Sequence, residues 1–253
     1  ITPLTLPAFT RGTDVNIQLN ANGGTGPYTW TVLSGALPDG ITLSPSGLLS
    51  GRAMTSQVGG FTFAILVTDA NLQGAQQYTV EVSAAGARIY VDQAATGNND
   101  GSNWENAFTD FQKAIAFSLS GDEIWVAKGN YLAGAAVTDA FVPKENVKWY
   151  GGFAGTESEL GQRQADANKL FSINETILNG NAKNYHVISN TTALTNATVI
   201  DGFSITGGKT ATGTSSVYSG AGIYNTQGAI IMRNLWIKSN TGYYYGGGVY
   251  NTA

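Results

Sequence analysis

The sequence contains no cysteine, which excludes disulfide bonds, thiolate zinc sites and thiol catalysis. It contains a single histidine, His186, so a zinc site or a triad with a recognisable partner is not expected, and a structural role as a hydrogen-bonded strand residue is favoured. Charged residues make up 12%, and 13 basic against 17 acidic residues give a net charge of −4. A nucleic-acid partner is not expected, because phosphate neutralisation needs a basic patch. No stretch approaches the ~20 apolar residues of a membrane span, so we expect no transmembrane segment.

Glycine is abundant instead, with 33 of 253 residues, about twice the usual frequency of ~7%. Glycine supplies positive φ angles, and threonine, serine and asparagine supply local hydrogen bonds to the backbone. This composition predicts an all-β protein of many short strands joined by tight turns. Because it is typical of exported bacterial proteins, we expect a secreted protein or one on the bacterial cell surface.

Residues 1–85 contain short segments in which apolar and polar residues alternate, the period of half-buried strands. Clusters of glycine, proline, asparagine and aspartate separate these segments and mark turns. Strands punctuated in this way predict a two-sheet β-sandwich. The clearest predicted strands are Val15–Leu19, Tyr28–Val32, Phe61–Phe63 and Tyr78–Val82.

The order of motifs in this region resembles that of the bacterial "putative Ig" modules, which are cadherin-like or Ig-like units found in tandem on surface proteins. The motifs are Gly23–Trp30, Ser34–Leu43, Gly47–Gly51 and Val67–Asp69. The resemblance implies an Ig-like β-sandwich over residues 1–85. We place the end of this domain in the small-residue stretch Ser83–Gly86.

The pattern after the boundary changes to strand, helix and strand. Apolar residues from Phe108 to Leu119, spaced by three and four, predict an amphipathic helix from Trp104 to Ser118. The flanking predictions are strands at Arg88–Asp92 and Asp122–Ala127 and a turn at Lys128–Tyr131.

This order of elements, with the motifs Asp100–Ser102, Trp104 and Gly121–Asp122, resembles the N-terminal cap of pectin-lyase-like right-handed β-helices. The resemblance implies that parallel coils follow. A cap is physically required, because the first coil of a solenoid otherwise exposes unpaired backbone groups and an open apolar end.

The last third contains an internal repeat. Gly220–Asn225 recurs as Gly246–Asn251 at an offset of 26, and Asp201–Ile205 corresponds to Arg233–Ile237 at an offset of 32. A unit of this size is one coil of a solenoid. We expect Ile223 and Val249 to stack in the core, Asn225 and Asn251 to form an asparagine ladder, and the additional residues to lie in the loop 210–219.

These motifs resemble the Gly-Gly-Gly-Ile-Tyr-Asn repeats of polymorphic outer-membrane-type proteins and other large bacterial surface β-helices. The implied second domain, residues 87–253, consists of a cap and the first coils of a right-handed parallel β-helix. Solenoids need about three or more repeats, and the sequence stops directly after a repeat motif. We therefore expect a chain that is truncated within the solenoid.

Catalysis is the alternative that this fold class raises, since β-helices often carry polysaccharide lyases and glycoside hydrolases. A lyase site would combine Ca²⁺ carboxylates with a basic residue, and the candidates are Asp201, Arg233 and Lys238. A structural ion pair explains Asp201 and Arg233 equally well. A hydrolase needs two carboxylates ~5–9.5 Å apart, and after Glu175 the sequence offers Asp201 alone. We therefore assign no catalytic residue.

Calcium is the one cofactor left open, and otherwise none is expected. The loop Asp92–Asp100 and the pair Asp69 and Asn71 carry oxygen ligands, but without the spacing of a known calcium loop. Turn formation explains both. Glu157, Glu159 and Asp166 fall in a polar loop, where we expect solvated charges.

Aromatic residues give the candidate binding site. Tyr243, Tyr244 and Tyr245 cannot all face inward on an alternating strand, and Trp236 alternates with apolar neighbours and should project outward. Exposed rings can stack on sugar faces, although packing under a neighbouring loop is the alternative. The expected function is a non-catalytic, adhesin-type extracellular protein with a polysaccharide or cell-surface glycan as partner. The alternative is the accessory and N-terminal part of a β-helix polysaccharide lyase or glycoside hydrolase.

Overall fold

A computed structural model describes residues 1–54, 58–83, 86–167, 170–212 and 218–252. Strands account for 39% and helices for 6%, so the predicted all-β class is confirmed. The chain forms two compact units, Ile1–Ala87 and Arg88–Ala253. Residues 84 and 85 of the predicted boundary stretch, and residues 213–217 of the predicted long loop, lie outside the described residues.

The described residues of the first unit form two sheets with strand orders β1-β7-β6-β3 and β2-β5-β4. Pairing is antiparallel except between β1 and β7. All four strands predicted above are confirmed, as β2, β3, β6 and β7. The bounds are β1 Phe9–Thr10, β2 Asp14–Gln18, β3 Thr29–Gly35, β4 Ile41–Leu43, β5 Leu48–Arg52, β6 Gly59–Thr68 and β7 Gln73–Ser83.

The core of this unit lies between the two sheets, because alternation turns one face of each strand inward. Trp30 and Ile65 of one sheet and Leu49 of the other belong to one buried cluster. Gly47 closes a turn against this cluster with φ at +86°, and a Cβ atom there would lie 2.8 Å from the Trp30 ring. The glycine of the predicted motif is therefore required by both backbone conformation and space.

The described residues of the second unit form three parallel sheets. Sheet 1 has the order β17-β14-β11-β9-β8, sheet 2 the order β10-β12-β15-β18, and sheet 3 the order β13-β16-β19. The bounds are β8 Arg88–Val91, β9 Glu123–Ala127, β10 Gly129–Leu132, β11 Lys148–Phe153, β12 Thr176–Asn179, β13 Ile188–Asn190, β14 Val199–Asp201, β15 Ser204–Thr206, β16 Ile223–Asn225, β17 Ile231–Arg233, β18 Trp236–Ile237 and β19 Val249–Asn251.

From β11 onward the chain visits sheets 1, 2 and 3 in turn and then repeats this circuit. Each strand pairs in parallel with its counterpart one circuit later, so Asp201 lies beside Arg233 and Asn225 beside Asn251. The predicted repeat register is confirmed. Gly202, with φ at +87°, forms the corner between β14 and β15.

Two predictions for the second unit need correction, one on core packing and one on secondary structure. Ile223 is buried beside Ile188, but Val249 is 44% exposed, so it does not stack in a closed core. Lys128–Tyr131 is not a turn, because Gly129–Leu132 forms β10 and pairs with β12.

The predicted helix is shorter than its apolar spacing suggested. Helix α1 spans Phe111–Phe117, and the carboxylate of Asp110 caps it by accepting a hydrogen bond from the Gln112 backbone N–H. Phe108 instead forms an isolated bridge with Val91, and residues 104–106 form a bend and a turn rather than a helix. Among the residues that the structure describes, no helix is long and apolar enough to cross a bilayer.

Candidate functional site

Trp236 begins β18 and lies beside Ser204 of β15 on the outer side of sheet 2. Its partner in register, Ser204, is buried, whereas Trp236 is 44% exposed. The predicted outward orientation is therefore found. The ammonium group of Lys238 lies 3.6 Å from the centroid of the Trp236 ring, a cation–π contact on one ring face.

Lys238 also forms an ion pair with Glu175, with 2.7 Å between Nζ and Oε1. The Ser204 hydroxyl donates to the same carboxylate oxygen at 2.5 Å. Partial burial raises the pKa of Glu175, but the hydrogen bonds from Lys238 and Ser204 outweigh it and leave the pKa below its usual value. We call Trp236, Lys238, Glu175 and Ser204 the tryptophan patch.

The three tyrosines lie in a bend before β19 and not on a strand, so the structural premise of their prediction was wrong. Exposure is 60% for Tyr243, 41% for Tyr244 and 55% for Tyr245. The rings of Tyr244 and Tyr245 are 4.1 Å apart between centroids. Tyr245 lies parallel to the half-buried Tyr250, which in turn stacks on Tyr224 at 5.5 Å. We call Tyr243, Tyr244, Tyr245 and Tyr250 the tyrosine patch.

Hydrogen bonds hold the backbone of this bend. The backbone N–H of Tyr243 donates to the Thr210 hydroxyl at 2.8 Å, and that of Tyr245 donates to the Ser219 hydroxyl at 3.0 Å. Tyr243 and Tyr244 also donate to the carbonyl of Tyr218. The predicted site residues therefore lie in two distinct surroundings: Trp236 contacts Lys238, and the tyrosines contact the segment around Tyr218.

Asp201 is 1% exposed and carries three side-chain partners. Its Oδ2 lies 3.0 Å from Arg233 Nε and 3.2 Å from Arg163 Nη2, and Asn234 donates to Oδ1 at 2.7 Å. Asp201 and Arg233 are neighbours on successive circuits, as predicted. Lys238, the third candidate, pairs with Glu175 and not with Asp201. The three lyase candidates therefore do not form a single cluster.

Arg163 is the partner that sequence reasoning missed. It comes from the loop between β11 and β12, donates to the Gly151 carbonyl at 3.0 Å and lies 4.1 Å from the centroid of the Phe171 ring. That loop has no repeat register, so no periodic signal pointed to it. With two guanidinium groups and an amide around it, Asp201 is a neutralised structural carboxylate.

Glu157 is also structural, and the prediction of a solvated charge was wrong for it. It is buried, and its carboxylate accepts hydrogen bonds from the backbone N–H groups of Ala154, Gly155 and Thr156. Asp166 accepts bonds from Leu170 and Ser172 within the same loop. Glu159 begins the short 3-10 helix Leu160–Gln162 with a capping box.

The oxygen groups considered for calcium make turns. Asp92 accepts from the Ala94 N–H, and Asp100 accepts from the Ser102 N–H. Asp69 accepts from backbone N–H groups at Thr25, Asn71 and Leu72, and these bonds lower its pKa. Within the described ranges, no group of three or more carboxylate or histidine side chains is arranged to hold a metal ion.

Asparagine side chains form a ladder on sheet 3. Asn190 donates to Asn225 at 2.8 Å, and Asn225 donates to Asn251 at 2.6 Å. The predicted pair is confirmed, and Asn190 extends it. The sequence contains the signal for this extension, since Ile188-Ser189-Asn190 shares its apolar and asparagine positions with Ile223-Tyr224-Asn225.

His186 has the structural role expected of it, although it precedes β13 and does not lie on a strand. Its Nδ1 is 3.1 Å from the Gly220 carbonyl oxygen, and its ring stacks on Tyr224 at 4.6 Å. Burial lowers the pKa of His186 below its ordinary value of 6.5, and the bond to Gly220 opposes this only partly.

The lowered pKa of His186 predicts a pH-dependent stability. Because the unfolded chain takes up the proton more readily, the free energy of unfolding should fall as the pH drops below ~6.5, until the folded-state pKa is passed. NMR titration of this sole imidazole measures the folded pKa, and denaturation at several pH values measures the stability. The His186→Asn variant should lack this part of the pH dependence. A folded-state pKa at or above that of a free histidine would contradict the prediction.

Two family models match the chain. Residues 1–83 match the model described as "Putative Ig domain", and residues 94–250 match "Protein of unknown function (DUF1565)", a family of the parallel β-helix type. The predicted order of an Ig-like module followed by a β-helix-type region is confirmed at the level of families.

No curated protein matches the sequence. An endo-fucoidan hydrolase from glycoside hydrolase family 107 aligns at 24% identity with a TM-score of 0.26, over 32% of this chain and 12% of that chain. A sialyltransferase from Photobacterium damsela aligns at 10% identity with a TM-score of 0.22, over 50% of this chain and 25% of that chain. The chain thus spans about an eighth of the length of that hydrolase, and likenesses this low carry no functional argument.

Proposed function

The chain belongs to the DUF1565 family of proteins of unknown function. We propose that it is a non-catalytic bacterial surface protein that binds a polysaccharide or a cell-surface glycan. The observation that carries this proposal is the tyrosine patch, where three consecutive rings are exposed beside Tyr250. Clustered exposed rings are uncommon on a solvated surface and mark interaction sites. Each tyrosine offers an apolar face for a sugar ring and a hydroxyl for hydrogen bonds.

The fixed backbone of the bend supports this function. Binding is weakened by the entropy lost when flexible loops become ordered. The bonds to Thr210, Ser219 and Tyr218 hold the tyrosine backbone before any ligand arrives. The low charge of the chain, at −4, also suits ligands recognised through hydroxyl groups and ring faces.

For the second unit we propose a right-handed parallel β-helix with a cap that includes β8 and α1. The repeated circuit through three parallel sheets supports this proposal. Parallel crossover connections are right-handed in about 98% of cases. Such a solenoid, with the Ig-like module as a spacer, suits a secreted or surface-attached location.

The alternative function, that of a polysaccharide lyase or glycoside hydrolase, is less well supported than non-catalytic binding, because the candidate carboxylates of this unit are already paired. Catalysis needs a carboxylate or base that can reach a substrate proton. Asp201 is buried and held by Arg163 and Arg233, and Glu175 is held by Lys238. These contacts favour the non-catalytic function.

Replacing the three tyrosines tests the proposal. The variant with Tyr243→Ser, Tyr244→Ser and Tyr245→Ser should lose about 10- to 2,000-fold in affinity for the glycan that the wild type selects on an array, since each ring contact contributes ~0.5–1.5 kcal/mol. A matched control replaces the exposed Leu4, Leu33 and Leu72 of the first unit by serine, and it should bind normally. The proposal fails if the wild type selects no glycan or if the tyrosine variant binds as well as the control.

A further inference from the structure

The tryptophan patch differs chemically from the tyrosine patch, because it combines one exposed ring with an ion pair. Lys238 Nζ lies 3.6 Å from the Trp236 centroid, so one face of the indole is already covered. A sugar can therefore stack only on the opposite face. Phe171, Ser172, Glu175 and Asn234 line a narrow cleft that Trp236 borders.

The charges of this patch cancel. Lys238 Nζ lies 2.7 Å from Glu175 Oε1, and both side chains keep about a third of their surface in solvent, 32% and 29%. An ammonium group has three N–H donors, and a carboxylate accepts at both oxygens. The pair can therefore donate to one sugar hydroxyl and accept from another while it stays intact.

An acidic sugar meets a different situation. A carboxylate or sulfate could bind Lys238 only by displacing Glu175 or by lying beside it, and like charges at contact distance repel. Phe171 and Asn234 of the cleft carry no charge, and the guanidinium groups of Arg163 and Arg233 nearby are paired with Asp201. Glu175 thus disfavours an anion at Lys238.

We propose that the tryptophan patch is a second carbohydrate subsite, separate from the tyrosine patch, which takes neutral pyranose residues and rejects acidic ones. The stack forms on the face of Trp236 that Lys238 leaves open, and Glu175 is the residue that determines specificity. This inference rests on the proposed glycan-binding function and adds to it the chemical class of the ligand.

The test uses the whole chain and a panel of neutral polysaccharides (xylan, mannan and a β-glucan) and acidic ones (polygalacturonate, alginate and a sulfated glucan). The wild type should bind neutral members only. In the serine variant of the three tyrosines, the further change Trp236→Ala should lower the residual affinity for neutral glycans by about tenfold. Glu175→Gln should gain at least tenfold in affinity for acidic members, because the positive charge of Lys238 is then no longer neutralised. Added salt should remove this gain, since it screens the attraction between Lys238 and the anionic sugar.

The outcomes separate this inference from the proposed function. If the tyrosine variant loses all binding and Trp236→Ala in the wild-type background changes nothing, the subsite is overturned while glycan binding stands. Preference of the wild type for acidic glycans, or no gain by Glu175→Gln, overturns the specificity. Absence of any glycan binding by the wild type overturns both. Glu175→Gln keeps an acceptor for Ser204 and Lys238, and an unchanged thermal transition shows that the fold is intact.

Discussion

Asp201→Asn is expected to lower the free energy of unfolding of the second unit by about 3–5 kcal/mol, the usual cost of leaving a buried charge without its partner. The carboxylate is almost fully buried, and the Arg163 side chain that it neutralises is only 7% exposed. The asparagine keeps the shape of the side chain but removes the negative charge between the two guanidinium groups. Chemical denaturation of the purified chain, followed by tryptophan fluorescence, measures the loss.

The matched control is a carboxylate on the surface. Asp14 pairs with Arg52 at 2.8 Å, but the Asp14 side chain is 74% exposed. Asp14→Asn should cost less than about 1 kcal/mol, since solvent screens such pairs. Equal and small losses for both variants would show that Asp201 is not the structural charge that its contacts indicate.

Asn225→Ala should cost the second unit about 2–4 kcal/mol, because a buried donor or acceptor left unpaired costs ~1–3 kcal/mol and several are affected at once. Asn225 is 3% exposed, accepts from Asn190, and donates to Asn251 and to the Gly228 carbonyl. Alanine removes all of these bonds from the middle of the ladder. The same denaturation measurement reads the effect.

Asn251→Ala is the control for the ladder, because Asn251 is exposed and water can replace its bonds. Its cost should stay below about 1 kcal/mol. Asn225→Asp gives a second comparison, since aspartate still accepts from Asn190 but cannot donate to Asn251. A loss for Asn251→Ala as large as that for Asn225→Ala would contradict the burial argument.

The sequence predicted the parts of this fold that repeat. Alternation located the strands of the sandwich, and the Ile-Tyr-Asn motif predicted both the parallel register and the asparagine ladder. Asp201 and Arg233 were paired correctly because they occupy the same place in successive circuits. Periodic signals of this kind reflect backbone geometry, which is why they could be read without a structure.

Contacts made by irregular segments could not be predicted. Arg163 reaches Asp201 from a loop, and Glu175 meets Lys238 across 63 residues without a repeat relation. The predicted helix was too long at its N-terminal end, because Phe108 lies three residues before Phe111 and so matches the helical spacing. The cap at Asp110 sets the actual start of α1. The tyrosines were correctly singled out as exposed, but the reason is a bend rather than an alternating strand. Side-chain partners of this kind depend on tertiary packing, which local patterns do not encode.

The proposed function requires that the chain bind saccharide without cleaving it. The most direct measurement incubates the wild-type chain with the polysaccharide that it selects on the array, and then determines the amount bound, the chain-length distribution and the number of new ends. We predict that the polysaccharide is retained and recovered at its original length, with no new reducing or unsaturated ends. Shortened chains or new ends that increase with time would contradict the proposed function.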